Sequence, residues 1–73
     1  MAVIRVNSEM AGSIWKLLVA IGDEVAEGAD LLLLESMKME IPVAAPAKGK
    51  VAEIRVEEGE TVSEGQLLLV LAG

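Results

Sequence analysis

Apolar residues recur along this chain in short clusters broken by glycine-bearing polar segments, and nowhere with a helical period. Ala2-Val3-Ile4-Arg5-Val6 is β-rich and ends at Asn7-Ser8, a turn signal. Gly12 opens a strand running to about Ala20, which Gly22-Asp23 ends. Leu31 to Leu34 is an apolar run too short for a helix and bounded by turn signals, as a buried strand is. Met39 to Ala45 reads as another strand. Pro42 within it donates no ladder hydrogen bond, so its nitrogen must face a sheet edge or a break in pairing. Val51 to Val56 and Leu67 to Leu71 complete the set. Short strands at this spacing predict an all-β sandwich or barrel.

The pattern is duplicated. Residues 12–36 (GSIWKLLVAIGDEVAEGADLLLLES) align with residues 49–73 (GKVAEIRVEEGETVSEGQLLLVLAG) at a constant offset of 37, with nine identities in 25 positions. They are Gly12/Gly49, Val19/Val56, Gly22/Gly59, Val25/Val62, Glu27/Glu64, Gly28/Gly65, Leu31/Leu68, Leu32/Leu69 and Leu34/Leu71. Ile14/Val51, Leu17/Ile54, Asp23/Glu60 and Leu33/Val70 keep the chemistry. Each half has too little apolar face to stand alone, so the two are expected to pack about a pseudo-twofold axis. The segments 22–28 and 59–65 are then equivalent turns that build the fold and bind nothing. Residues 1–73 form one domain in this reading.

Composition narrows the function. With 73 residues the chain buries only about 60–65% of its unfolded surface. Its hydrophobic content of 53% compensates. It has neither cysteine nor histidine, which removes disulfides, thiolate metal sites, and Ser–His or Cys–His nucleophilic systems. A non-catalytic role is expected, with no catalytic residue and no metal site; Glu57-Glu58-Gly59-Glu60 reads as a solvated acidic turn. The net charge of −6, shared evenly by the two halves, repels phosphate backbones, so no nucleic-acid partner is expected. No apolar run approaches the roughly 18 residues that span a bilayer, and no leader pattern opens the chain, so no membrane partner and a cytoplasmic location are expected. Trp15, the only aromatic residue, is expected to be partly buried beside Gly12 with its indole N–H satisfied; a place on a partner surface is the alternative.

The join between the two copies carries the chemistry. Ser36 to Met39 form or flank a tight hairpin, which puts the Lys38 ammonium in water on its four-carbon stem. Met37 and Met39 put soft, adaptable apolar surface on either side of it, which reads as a recognition patch around a presented side chain.

The run Glu35-Ser36-Met37-Lys38-Met39-Glu40 resembles the Ala-Met-Lys-Met signature of biotin carboxyl carrier domains. The resemblance extends from about Ile4 to Leu71 and takes in the repeat, Gly12, Gly49 and both Gly-Asp/Glu-x-Val-x-Glu-Gly turns. The chain is thereby identified as a member of the biotinyl/lipoyl attachment domain family, most similar to its small free-standing attachment proteins. The family fold implied is a flattened β-barrel (barrel-sandwich hybrid) of two four-stranded antiparallel sheets, with the modified lysine on an exposed hairpin.

By that resemblance Lys38 carries covalent biotin, attached by biotin protein ligase. Met37 and Met39 supply flanking recognition, and Glu35, Ser36 and Glu40 the hairpin context. The tethered ring then shuttles activated carboxylate between biotin carboxylase and carboxyltransferase active sites. Tethering raises effective concentration without tight binding. Lipoyl domains present a lysine on the same hairpin, commonly between Asp and Ala; a lipoate carrier on Lys38 is one alternative, and an unmodified β interaction module another. Ser36 stands where the signature has alanine, and Glu9-Met10-Ala11-Gly12 where Pro-Met-x-Gly is typical.

Overall fold

The computed structural model describes residues 2–73. Eight strands follow in order: β1 (Val3–Asn7), β2 (Gly12–Leu17), β3 (Glu24–Val25), β4 (Asp30–Ser36), β5 (Met39–Ala44), β6 (Gly49–Ile54), β7 (Thr61–Val62) and β8 (Leu67–Ala72). They form two four-stranded antiparallel sheets, ordered β1-β8-β6-β3 and β5-β4-β2-β7. The ladders stay separate among the described residues, so the flattening takes the form of an open sandwich rather than a closed barrel. Pro42 falls on β5, an edge strand, where its missing donor leaves no break in the sheet interior.

The repeat explains the topology. An offset of 37 maps β1 onto β5, β2 onto β6, β3 onto β7 and β4 onto β8, and so exchanges the two sheets. Each sheet takes two strands from either half. The exchange is fastened by reciprocal backbone hydrogen bonds. Ile14 N donates to Glu60 O at 2.8 Å, and Gly59 N to Ile14 O at 2.6 Å. The repeat-related bonds run from Val51 N to Asp23 O at 2.8 Å and from Gly22 N to Val51 O at 2.8 Å. Segments 22–28 and 59–65, expected as turns, each hold a two-residue strand, β3 and β7, that crosses to the other half's sheet. Two residues are too few to show a period.

The core draws equally on both copies: Ile14, Leu31, Leu32 and Leu34 with Val51, Leu68, Leu69 and Leu71, all essentially inaccessible. A strand buried on one face should alternate, yet Leu31 and Leu32 are both buried. The register shift between Asp30 and Leu32 turns successive residues inward, and a shift between Val6 and Asn7 against β8 does the same for Leu68 and Leu69. β2 ends at Leu17 and β6 at Ile54, short of the expected Ala20 and Val56. The Asp23 carboxylate accepts from Ala20 N at 2.9 Å and that of Glu60 from Glu57 N at 3.1 Å, so matching side-chain caps bend both copies into their turns.

Two glycines sit where backbones approach closely. A Cβ on Gly12 would lie 2.6 Å from the Glu35 carbonyl oxygen, and one on Gly49 would lie 2.9 Å from that of Ala72. The hairpin joining β4 and β5 closes through Met37 and Lys38, at φ 55° and 65°. Two central residues at positive φ are the type I′ pattern, whose twist suits a hairpin but whose usual occupants are Asn and Gly. Side chains there cost about 1–2 kcal/mol each.

Two predictions follow from this backbone. Gly12→Ala is expected to cost about 1–3 kcal/mol, because the obstructing atom is backbone and cannot swing aside; thermal melts should fall by roughly 4–8 °C per kcal/mol. Lys38→Gly is expected to raise stability by about 0.5–1 kcal/mol, relief of positive-φ strain being offset in part by glycine's greater unfolded entropy. An unchanged or lowered melting temperature for Lys38→Gly would contradict that account.

Candidate functional site

Lys38 stands at the end of the β5-β4-β2-β7 sheet, on the turn that continues the β4–β5 ladder. The last pairs before it are Leu34 with Ile41, Glu35 with Glu40, and Ser36 with Met39. Buried Leu34 and half-buried Ile41 anchor the hairpin in the sandwich. The ladder then runs on past the core, which leaves Met37 92% and Met39 63% exposed with Lys38 between them. Burying a methionine side chain is worth about 1.5–3 kcal/mol, so two left in water beside one charge are not placed there by the fold.

All six residues singled out in the sequence meet at this hairpin. Lys38, Met37 and Met39 make the tip, Ser36 lies half-buried at its base, and Glu35 and Glu40 face one another across the ladder. Among the described residues the one ion pair is Arg55–Glu53, at 2.9 Å and on the surface, so the Lys38 ammonium is held by no carboxylate. Glu35 and Glu40 are likewise without a cation. Like charges directly opposite on a ladder are destabilising, so this pair also serves something other than the fold.

Gly12 belongs to the site as a support. Its missing Cβ lets β2 close on the Glu35 carbonyl at the hairpin base. Its match to Gly49 marked it in the sequence as part of the repeat, without showing which strand it approached. Trp15 departs from expectation: it is 48% exposed, and no hydrogen bond holds its indole N–H among the described residues. The β2–β4 register shifts between Ile14 and Lys16, so Trp15 occupies a bulge, and a bulge re-aims a side chain in a way strand alternation does not reveal.

The site is a presented side chain and not a cleft. A groove of about 420 Å³ opens between the free edges of β1 and β5, lined by residues such as Arg5, Val6, Met10, Ile41 and Pro46. Lys38, Met37 and Met39 do not line it. No cluster of three or more metal-ligating side chains occurs among the described residues. What the arrangement offers chemically is an exposed primary amine on the turn, with no carboxylate paired to it among the described residues.

Comparison with known proteins agrees with this geometry. Residues 4–71 match the family described as "Biotin-requiring enzyme" (Biotin_lipoyl). The chain is 46% identical over 69 residues to the biotin/lipoyl attachment protein of Bacillus subtilis (strain 168), covering 94% of each. It is 44% identical over 63 residues to the biotin carboxyl carrier protein of Streptococcus mutans serotype c, covering 86% of this chain and 48% of that one. In three dimensions it superposes on the urea carboxylase of Kluyveromyces lactis with a TM-score of 0.92 and 35% identity, over 99% of this chain and 6% of that much longer one. With a sequence match along nearly its whole length and a lysine displayed on the β4–β5 turn, this chain belongs to the biotin/lipoyl attachment domain family.

Proposed function

We propose that this chain is a biotin carrier, acylated on Lys38 by biotin protein ligase, and that it serves a biotin-dependent carboxylase without itself catalysing a reaction. The observation that carries the reading is Lys38 itself: an ammonium without a carboxylate partner among the described residues, on a turn of the type I′ pattern, between two exposed methionines. Relatives named biotin carboxyl carrier protein and pyruvate carboxylase support biotin as the group attached.

The chain's own contribution is positional. The β4–β5 ladder runs up to the Ser36–Met39 pair and so sets Lys38 on the turn, from which its side-chain stem extends to enter a partner's active site. The amine is nucleophilic only after losing a proton, and with no histidine in the chain the base must come from the ligase. In the ligation an amide bond forms at Nζ, the acyl–phosphate bond of the biotinyl adenylate breaks, and AMP leaves. Attached biotin supplies the carboxylate-carrying chemistry. Met37 and Met39 offer an apolar, adaptable collar that the ligase reads on either side of the amine. Met at both positions, where lipoyl domains commonly have Asp and Ala, favours biotin over lipoate. In the carboxylase, the carrier raises the effective concentration of the group at carboxylase and transferase sites in turn.

The test is intact mass and peptide mapping after incubation with biotin, ATP and a purified bacterial biotin protein ligase. A single biotinyl adduct on Lys38, absent from Lys38→Arg, is expected, with the net charge moving from −6 to −7 and a matching anodic shift on a native gel. An unmodified product, or a lipoyl adduct in a parallel reaction with lipoate ligase, would overturn the biotin reading. The double variant Met37→Asp/Met39→Ala is expected to lose about tenfold in kcat/KM for biotinylation, roughly 1.4 kcal/mol. Equal rates for the double variant and the unaltered protein would show that the methionines are not read.

A further inference from the structure

The internal repeat provides a control for deciding which exposed residues the fold needs. Positions related by the offset of 37 occupy equivalent places in the two sheets, so a costly choice made in only one copy answers a demand that is not structural. Two neighbouring rows on the outer face of the hairpin sheet stand out in this way.

In the row nearest the turn, Ser13 pairs with Glu35 and Glu35 with Glu40. The equivalent row in the other sheet pairs Lys50 with Ala72 and Ala72 with Val3. The opposed carboxylates are thus peculiar to the hairpin end. Two residues further back, about 6–7 Å along the strand, Lys16 pairs with Leu33 and Leu33 with Pro42. Leu33 lies between buried Leu32 and Leu34, so this row faces outward. Trp15 occupies the adjoining bulge. β2 is a central strand, and an exposed side chain there leaves the sheet on its outer face. The equivalent bulge in β6 falls at Ala52, likewise exposed. The fold asks only for alanine at this place, and the chain puts its single tryptophan there.

We propose that this outer face, Trp15 with Leu33 and Pro42 behind the Glu35/Glu40 pair, is where biotin protein ligase seats the carrier, with Trp15 entering an apolar slot edged by Arg or Lys side chains. The inference rests on the reading of Lys38 as the biotinylated residue. Two arguments commit the surface to the ligase. The uncompensated carboxylates call for a cationic rim on the partner, and tryptophan beside such a rim is the usual make-up of an interface hot spot. Reach supplies the second. Before modification the amine extends only as far as its own stem, so whatever acylates it must come against the sheet within a few residues of the turn. After modification the longer arm reaches an active site with the sheet held off. A surface so near the bare lysine therefore serves the attachment step.

Trp15→Ala, which copies Ala52, tests this by ligase kinetics beside the unaltered protein. The expected result is a folded protein whose melting temperature falls by a few degrees at most, with kcat/KM for biotinylation at a temperature well below the melt lowered about thirtyfold, carried mainly by KM. Equal kcat/KM for the two proteins, with the unaltered one modified normally, would overturn the docking face and leave the carrier reading intact. No modification of either would overturn the carrier reading itself. A second measurement needs no variant. The chain has one tryptophan, hence one indole N–H resonance, and adding ligase without ATP to the isotope-labelled carrier is expected to shift or broaden it. Hairpin amides that respond while the indole stays fixed would likewise overturn the proposal.

Discussion

Reciprocal exchange of strands between the two halves is the constraint on which everything else in this molecule depends. β3, from the first copy, completes the sheet built on β6 and β8, and β7, from the second, completes the sheet built on β2 and β4. The crossing points are fixed by four backbone hydrogen bonds centred on Ile14 and Val51, themselves buried core residues. Backbone pairing and apolar burial therefore coincide at the same two positions. Neither half could keep its sheet or its core alone, and a chain of 73 residues, which has little interior to spare, gains its stability by sharing one.

The same symmetry sets where the exposed hairpin falls. At one end of the sandwich β4 and β5 run on through Ser36 and Met39 into the turn that bears Lys38. The position equivalent to that turn, at the other end, is where the chain's ends meet: Ala2 and Gly73 exchange backbone hydrogen bonds of 3.3 and 2.9 Å, repeating the Ser36–Met39 pair. The fold offers two equivalent places, and the sequence uses one of them to display an amine.

Functional demands show as departures from what packing would choose. Met37 and Lys38 accept positive φ that glycine would take more easily, Met39 leaves apolar surface in water, and Glu35 faces Glu40. Each is a small local cost, of the order of a kilocalorie per mole, and the pair related by the repeat to Glu35 and Glu40, Ala72 with Val3, carries no opposed charges. Among the described residues no carboxylate pairs with the Lys38 ammonium, so nothing would have to be displaced for the proposed acylation of the amine.

Much of this was legible in the sequence. The duplication is a pattern of identities, so the equivalence of strands, the shared core of Leu31, Leu32, Leu34 and their mates, and the need for both halves follow without coordinates. The six hairpin residues are contiguous, and contiguity brings them together whatever the rest of the chain does. Pro42 announced an edge because a missing donor is a local fact. What tertiary structure alone decided depends on register. The two-residue strands β3 and β7 are too short to have a period, and their partners lie in the other copy. The bulge that turns Trp15 to solvent comes from a slip in pairing between β2 and β4, which strand alternation does not encode. The closeness of Gly12 to the Glu35 carbonyl depends on how tightly two strands pack that are distant in sequence. Local chemistry is written in the chain itself, whereas the placing of residues far apart along it is settled only when strands pair.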